Sequence, residues 1–276
     1  MFLDQSKKYP FPKVTPIRIP RIVSLANSYR SSCQDTTSMQ ELEETFRKWF
    51  QPLVDVDQFP YVYFMNNGIT QCLEFLALTF KDQQIKMIQG DYFWLKTMKS
   101  AIEVTNKENC KISYISSPSA IDGSIIDTEW NSDSQILDGA YVGTSVKPLK
   151  INTNTEFLLL GFSKNLGFPE YRLGLLFSRK KIQSLEMFQK VFSHVGLFQF
   201  EIISKIVQDI KIIELAEELK HYQAKYCQLY AELTPSDSAL LSTTTDTRYK
   251  FYSRPNGIIR VPLGESITHC LEQKII

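Results

Sequence analysis

Histidine is scarce in this chain and cysteine is scattered. The three histidines, His194, His221 and His269, stand far apart among 276 residues, so a histidine-built metal site or a Ser-His-Asp triad has little to be assembled from. The five cysteines, Cys33, Cys72, Cys110, Cys227 and Cys270, are odd in number and never closely paired. That argues against a zinc site or a disulfide framework and reads as reduced, mostly buried thiols. An excess of one charge is missing as well. Basic and acidic residues number 31 and 30, with no block of like charge beyond pairs such as Lys7-Lys8 and Lys180-Lys181, which argues against a nucleic-acid or membrane-surface partner. The opening MFLDQSKKYPFPK has no continuous apolar stretch, and no later segment approaches the ~18 apolar residues of a membrane helix. A cytoplasmic protein is the expectation. An enzyme with so few reactive side chains of its own would take its chemistry from a cofactor.

What is present suits a globular chain: 43% of residues are hydrophobic, enough for a sizeable core. No internal repeat or low-complexity tract interrupts it. Prolines at 10, 12, 16 and 20 predict an irregular N-terminal arm over residues 1–34, since they forbid a long helix. Ser38 and Glu41 read as a capping box, and Leu42, Phe46 and Phe50 recur at helical spacing, so a helix is expected over 38–51. Strands are expected at 61–65, 85–89, 111–115, 134–137, 156–160 and 173–177, helices at 180–193 and 199–232, and a hairpin of 249–252 with 257–261 across Arg254-Pro-Asn-Gly.

The stretch Leu158 to Gly174, LLLGFSKNLGFPEYRLG, draws the most attention. Its apolar run has the bulk of a buried strand, so the turn after it lies at a strand's C-terminal end, where open α/β sheets bind ligands. Lys164 sits in that turn, and a desolvated amine there suits Schiff-base chemistry with an aldehyde. The turn Asn67-Gly68-Ile69-Thr70 opens a helical run and offers free N–H groups to a phosphate, or is an ordinary strand-to-helix turn. Tyr92, Phe93 and Trp94 follow a strand as core packing or a ligand platform. Asp138 ends a short buried strand, as a helix cap or a functional carboxylate. Arg260, inside Ile-Ile-Arg-Val, is an edge-strand residue facing water or a buried anion clamp.

Gly161-Phe-Ser163-Lys164-Asn165-Leu-Gly167, followed by Arg172-Leu-Gly174, resembles the lysine segment of fold-type I pyridoxal phosphate (PLP) enzymes, and is most similar to class I and II aminotransferases of the aspartate aminotransferase-like superfamily. The likeness covers about residues 60–178, with Arg260 as one further point. It implies a three-layer α/β/α fold with a mostly parallel sheet, in which 173–177 runs antiparallel. It further implies an N-terminal arm (1–34), a large PLP-binding domain (35–200) and a reduced C-terminal α+β small domain (201–276). By the same resemblance, Lys164 holds the cofactor as a Schiff base and is the catalytic residue. Asn67, Gly68, Ile69 and Thr70 occupy the place of the phosphate loop, with Arg172 also on the phosphate and Ser163 beside the lysine. Tyr92 stacks on the ring, with Phe93 the fallback. Asp138 meets the pyridine nitrogen, Tyr141 the ring hydroxyl, and Arg260 the substrate carboxylate. Three departures stand out: Gly161 where many members have a phosphate-binding serine, Ser117 where they have an asparagine toward the ring oxygen, and a 96-residue interval from Lys164 to Arg260. The implied activity is transamination between an amino-acid donor and a keto acid acceptor. Decarboxylation or another reaction at Cα uses the same machinery, and a catalytically silent PLP-fold binding protein is the reading from another class. The resemblance also implies a homodimer, with the N-terminal arm and the loop 193–196 reaching the partner.

Overall fold

A computed structural model describes residues 13–32, 38–92, 94–98, 103–106, 110–127, 130–192 and 197–276. In chain order the elements begin with α1 (Pro20–Ser32), α2 (Met39–Phe50), β1 (Tyr61–Met65), α3 (Gly68–Thr79), β2 (Gln84–Met87), α4 (Trp94–Thr97), β3 (Glu103–Thr105), β4 (Ile112–Ser116) and β5 (Ser134–Gly139). They continue with β6 (Thr155–Gly161), β7 (Gly174–Ser178), α5 (Gln183–Phe192), α6 (Leu197–Asp209), α7 (Ile212–Leu229), β8 (Thr234–Pro235), β9 (Leu241–Thr244), β10 (Ile259–Pro262) and α8 (Gly264–Glu272).

Every residue of β4, β5 and β7 is buried, the mark of strands covered on both faces. The seven-stranded sheet runs β1-β7-β6-β5-β4-β2-β3. Pairing is parallel from β3 through β6, while β7 lies antiparallel to both β6 and β1, as the resemblance implied. The pleat divides β6 cleanly. Leu158 and Leu160 join Phe46 of α2, Phe200 of α6 and Ile22 of α1 on one face, and Phe157 and Leu159 join Leu73 and Leu76 of α3, Leu95 of α4 and Leu185 of α5 on the other. Helices on both faces make the three layers, and each fully buried leucine contributes about 2 kcal/mol to holding them together. A second sheet, β10-β9-β8, is antiparallel throughout.

Three expectations are corrected. The segment read as irregular contains the helix α1, because Pro20 is its first residue, where a fixed φ suits the helix and the missing N–H has no partner to lose. The single helix expected over 199–232 is two: Lys211 is extended (φ −77, ψ 137), and the indole Nε1 of Trp49 donates to the Ile210 carbonyl at 2.7 Å. The apolar stripe runs on across this break, since Ile210 and Ile212 are both buried. The expected hairpin is reduced to one antiparallel bridge, Ser253 with Ile259, across the turn at Arg254. Residues 247–252 form a 3-10 turn in which Asp246 accepts from the Arg248 N–H, and β10 pairs instead with β9. Strands β3, β8 and β9 and helices α4 and α8 have no counterpart among the expected elements.

Ahead of α1, residues 13–19 run as a strap without regular secondary structure, with Val14, Ile17 and Ile19 buried. It is seated against two backbones: a Cβ on Gly264 would lie 1.9 Å from the Thr15 carbonyl oxygen, and one on Gly167 2.7 Å from that of Ile17. Arg18 donates its N–H to the Thr268 hydroxyl at 3.0 Å and pairs with Glu170. Among the described residues, no helix is long and apolar enough to cross a membrane, and no group of three or more His, Cys, Asp or Glu could hold a metal. Cys33, Phe93 and the loop 193–196 lie outside the described residues.

A candidate active site at the carboxyl ends of the strands

A cavity of about 540 Å³ opens where the parallel strands end. Asn67 to Thr70 reach it from the start of α3, Asp138, Ala140 and Tyr141 from the end of β5, Ser163 and Lys164 from the turn after β6, and Lys13 and Val14 from the strap. Arg172 enters from the turn before β7, and Arg254 and Arg260 from the small-sheet region.

Lys164 is held between two anchors. Phe162 packs 4.8 Å from Phe46, 5.4 Å from Phe50 and 5.8 Å from Trp49 by ring centroid. The buried Asn165 amide donates to the carbonyls of Val142 (2.9 Å) and Gly161 (3.0 Å), tying this turn to the one after β5. Between them the ammonium donates to the Val14 carbonyl and lies 5.9 Å from the Tyr141 ring centroid. Burial, aided by the positive charges of Lys13, Arg260 and Arg172, pulls the Lys164 pKa down to about 7. A good part of the amine is therefore neutral, and nucleophilic, near neutrality.

Asp138 is buried, its Oδ2 accepting from the Tyr114 hydroxyl at 2.7 Å and its Oδ1 from the Ala140 N–H at 2.9 Å. Burial raises its pKa to about 6 against those hydrogen bonds, and the nearby Asp91 carboxylate adds to the rise. The same burial pushes the Tyr141 hydroxyl up to about 12. Arg172 has a left-handed backbone (φ 49), and its guanidinium crosses the start of α3, reaching the Asn67 side chain (3.4 Å), the Asn67 carbonyl (3.3 Å) and the Thr70 hydroxyl (3.2 Å). A guanidinium over a helix N-terminus is an anion-binding arrangement.

Most of the anticipated residues meet in this cavity: Asn67, Gly68, Ile69, Thr70, Tyr92, Asp138, Tyr141, Ser163, Lys164, Arg172 and Arg260. Ser117 does not. It is buried off the cavity wall, where its hydroxyl accepts from the Ile126 N–H at 3.0 Å, and Ser116 lines the cavity in its place. Ser116 donates its hydroxyl to Asp91 at 2.5 Å. The glycine at 161 also has a reason here: a Cβ on it would meet the Ile69 side chain at 3.2 Å, so Ile69 fills the room a serine would need. Arg254 was missed, its Arg-Pro-Asn-Gly context reading only as a turn. Asp91 and Val14 carried no local signal at all.

No protein-family model matches the sequence, and no curated protein matches it. Solved structures do match. The chain is similar to an aromatic aminotransferase from Pyrococcus horikoshii (TM-score 0.70, 14% identity, covering 98% of each chain). It is also similar to tyrosine aminotransferase from Leishmania infantum (0.65, 14%, 93% of this chain and 90% of that one). A third match is histidinol-phosphate aminotransferase from Sinorhizobium meliloti, solved with pyridoxal 5'-phosphate (0.60, 15%, 99% and 98%). The chain therefore has the fold of these aminotransferase structures, three α/β/α layers about a mostly parallel sheet.

Proposed function

We propose that the chain is a PLP-dependent aminotransferase acting on an amino acid or a similar amine. The observation that carries this reading is that Lys164, Asp138 and Arg172, three groups of different chemistry, line one cavity. The donor set fits the cofactor. Arg172 and the N–H groups opening α3 would hold its phosphate, Asp138 its ring nitrogen, and Lys164 its aldehyde carbon, with Tyr92 and Tyr141 beside the ring. Asp138 in particular is a buried carboxyl whose hydrogen-bond donors, a tyrosine hydroxyl and an amide, are neutral; a protonated ring nitrogen supplies the positive charge that favours its ionised form. When bound, the cofactor supplies an electron sink for negative charge developing at the substrate Cα. Lys164 Nζ, with a pKa near 7, is matched to take a proton from that Cα. Arg260, buried in β10 and oriented by its donation to the Ala120 carbonyl, receives the donor's carboxylate.

Borohydride reduction of the protein with PLP, followed by peptide mapping, tests the reading. The tag is expected on Lys164 and is lost in Lys164→Ala. A tag on another lysine, or a protein that ignores PLP, overturns the assignment.

The proposal extends to a homodimer with residues 1–34 as an arm, 35–200 as the large domain and 201–276 as the small one. Exposed Met187 and Phe188 on α5 and Phe198 on α6 support a contact beside the loop 193–196.

A further inference from the structure

The strap of residues 13–19 touches the amine on which the proposed function turns. Val14 is buried, and its carbonyl oxygen accepts from the Lys164 ammonium. The strap that carries this carbonyl is seated on both sides of the lysine. On one side it runs over Gly167, in the same turn as Lys164, where a Cβ would lie 2.7 Å from the Ile17 carbonyl oxygen. On the other it runs over Gly264, just beyond β10, where a Cβ would lie 1.9 Å from the Thr15 carbonyl oxygen. The Arg18 N–H adds its bond to the Thr268 hydroxyl at 3.0 Å. Val14 is thereby held in register over the amine.

A lysine amine donates through N–H whether it is neutral or protonated. The bond to Val14 therefore fixes where Nζ lies in both states and leaves the lone pair of the neutral amine for a reacting partner. Its charge is governed by the neighbours. Lys13, the residue before Val14, is exposed and lines the cavity. Burial does most to pull the Lys164 pKa down to about 7, and the positive charge of Lys13 comes next, ahead of those of Arg260 and Arg172. The other titratable groups of the wall are Arg254, Asp138, Glu74, Tyr92 and Tyr141.

We propose that the strap is a positioning element for Lys164: the Val14 carbonyl holds the free amine in place, and Lys13 is a positioning residue that sets a second positive charge beside it. Two like charges side by side make the protonated amine the less favoured form. The neutral amine is the form that takes a proton from the substrate Cα, so the inference rests on the aminotransferase reading and assigns the strap a part in it.

Trace acetylation of the cofactor-free full chain with acetic anhydride over a pH series, followed by peptide mapping, reads the titration midpoint of Lys164. The unmodified chain should titrate near 7. Lys13→Glu should raise the midpoint by about one pH unit, a tenfold change in proton affinity. Lys13→Arg keeps the charge and should leave the midpoint in place. Gly264→Ala, which displaces the Thr15 carbonyl, should raise it by at least about one unit as water reaches the amine. A Lys164 that titrates near the ordinary 10.5 in the unmodified chain, a midpoint that ignores the charge at residue 13, or one that stays near 7 with the strap displaced, overturns the proposal. Should Gly264→Ala not fold, the two variants of the exposed Lys13 decide. Borohydride trapping with PLP on the same proteins separates the two readings. A protein that takes no PLP at Lys164, but whose midpoint follows residue 13 and the strap, keeps the positioning strap and loses the aminotransferase assignment. A tagged Lys164 whose midpoint ignores residue 13 does the reverse.

Discussion

Asp138 ties the chemistry of one side chain to the stability of the fold. Its folded pKa of about 6 lies above the ordinary 3.8, so the folded protein holds this proton more tightly than the unfolded chain. The stabilisation is complete below about pH 4 and is lost as pH rises through 6. A rise of that size corresponds to about 3 kcal/mol. In the cofactor-free protein, Asp138→Asn should therefore gain on the unmodified chain by about that amount between pH 4 and pH 7, read from urea unfolding at both values. A difference that does not vary with pH would refute the raised pKa. At this scale the sequence is legible where residues of the cavity wall fall at fixed local spacing: Lys164 with Arg172 eight residues on, Asp138 with Tyr141 three residues on. It is illegible where a contact spans the chain. Nothing around Asp91 or Gly90 announces Arg254, which lies 164 residues from the carbonyl it bonds. The choice between Ser116 and Ser117 is likewise settled by which hydroxyl the loop to Ile126 consumes.

The strand-turn-helix unit of β1 and α3 owes its position to β7. A Cβ on Gly174 would lie 2.5 Å from the Gly68 carbonyl carbon and 2.7 Å from the Ile69 nitrogen, which is backbone against backbone with no side chain able to yield. Gly174→Ala should thus push the start of α3 away from Arg172, costing about 1–3 kcal/mol of stability. PLP affinity should weaken in parallel, measured by thermal unfolding and by absorbance titration. Stability lost with PLP affinity intact would mean that this turn does not hold the phosphate. Buried strands such as β1 and β6 were readable as short apolar runs, and α2 from its capping box, because those signals are local. Helix α1 is hidden in the sequence because a proline suggests a breaker, whereas Pro20 is the helix's first residue. Residues 249–252 keep only the flanking Ser253–Ile259 bridge, because β10 forms its ladder with β9 instead, and pairing partners are a tertiary choice.

The molecule as a whole supplies the cavity from Lys13 to Arg260, nearly the full span of the chain. The proposed homodimer would add a second copy to that enclosure, and sedimentation at micromolar concentration should then find the PLP-loaded protein dimeric. An active, PLP-loaded monomer would overturn the dimer and leave Lys164 untouched. The strap of residues 13–19 carries one more consequence. It is clamped against Gly264, at the first turn of α8, while its Val14 carbonyl receives the Lys164 ammonium. During synthesis on a ribosome, the residues that cover Lys164 are made long before the Gly264 side of their seat. The sheet can assemble while the chain is still growing, whereas the lysine's surroundings are completed only after α8 has emerged. A nascent chain halted before that point lacks the Gly264 half of the strap's seat.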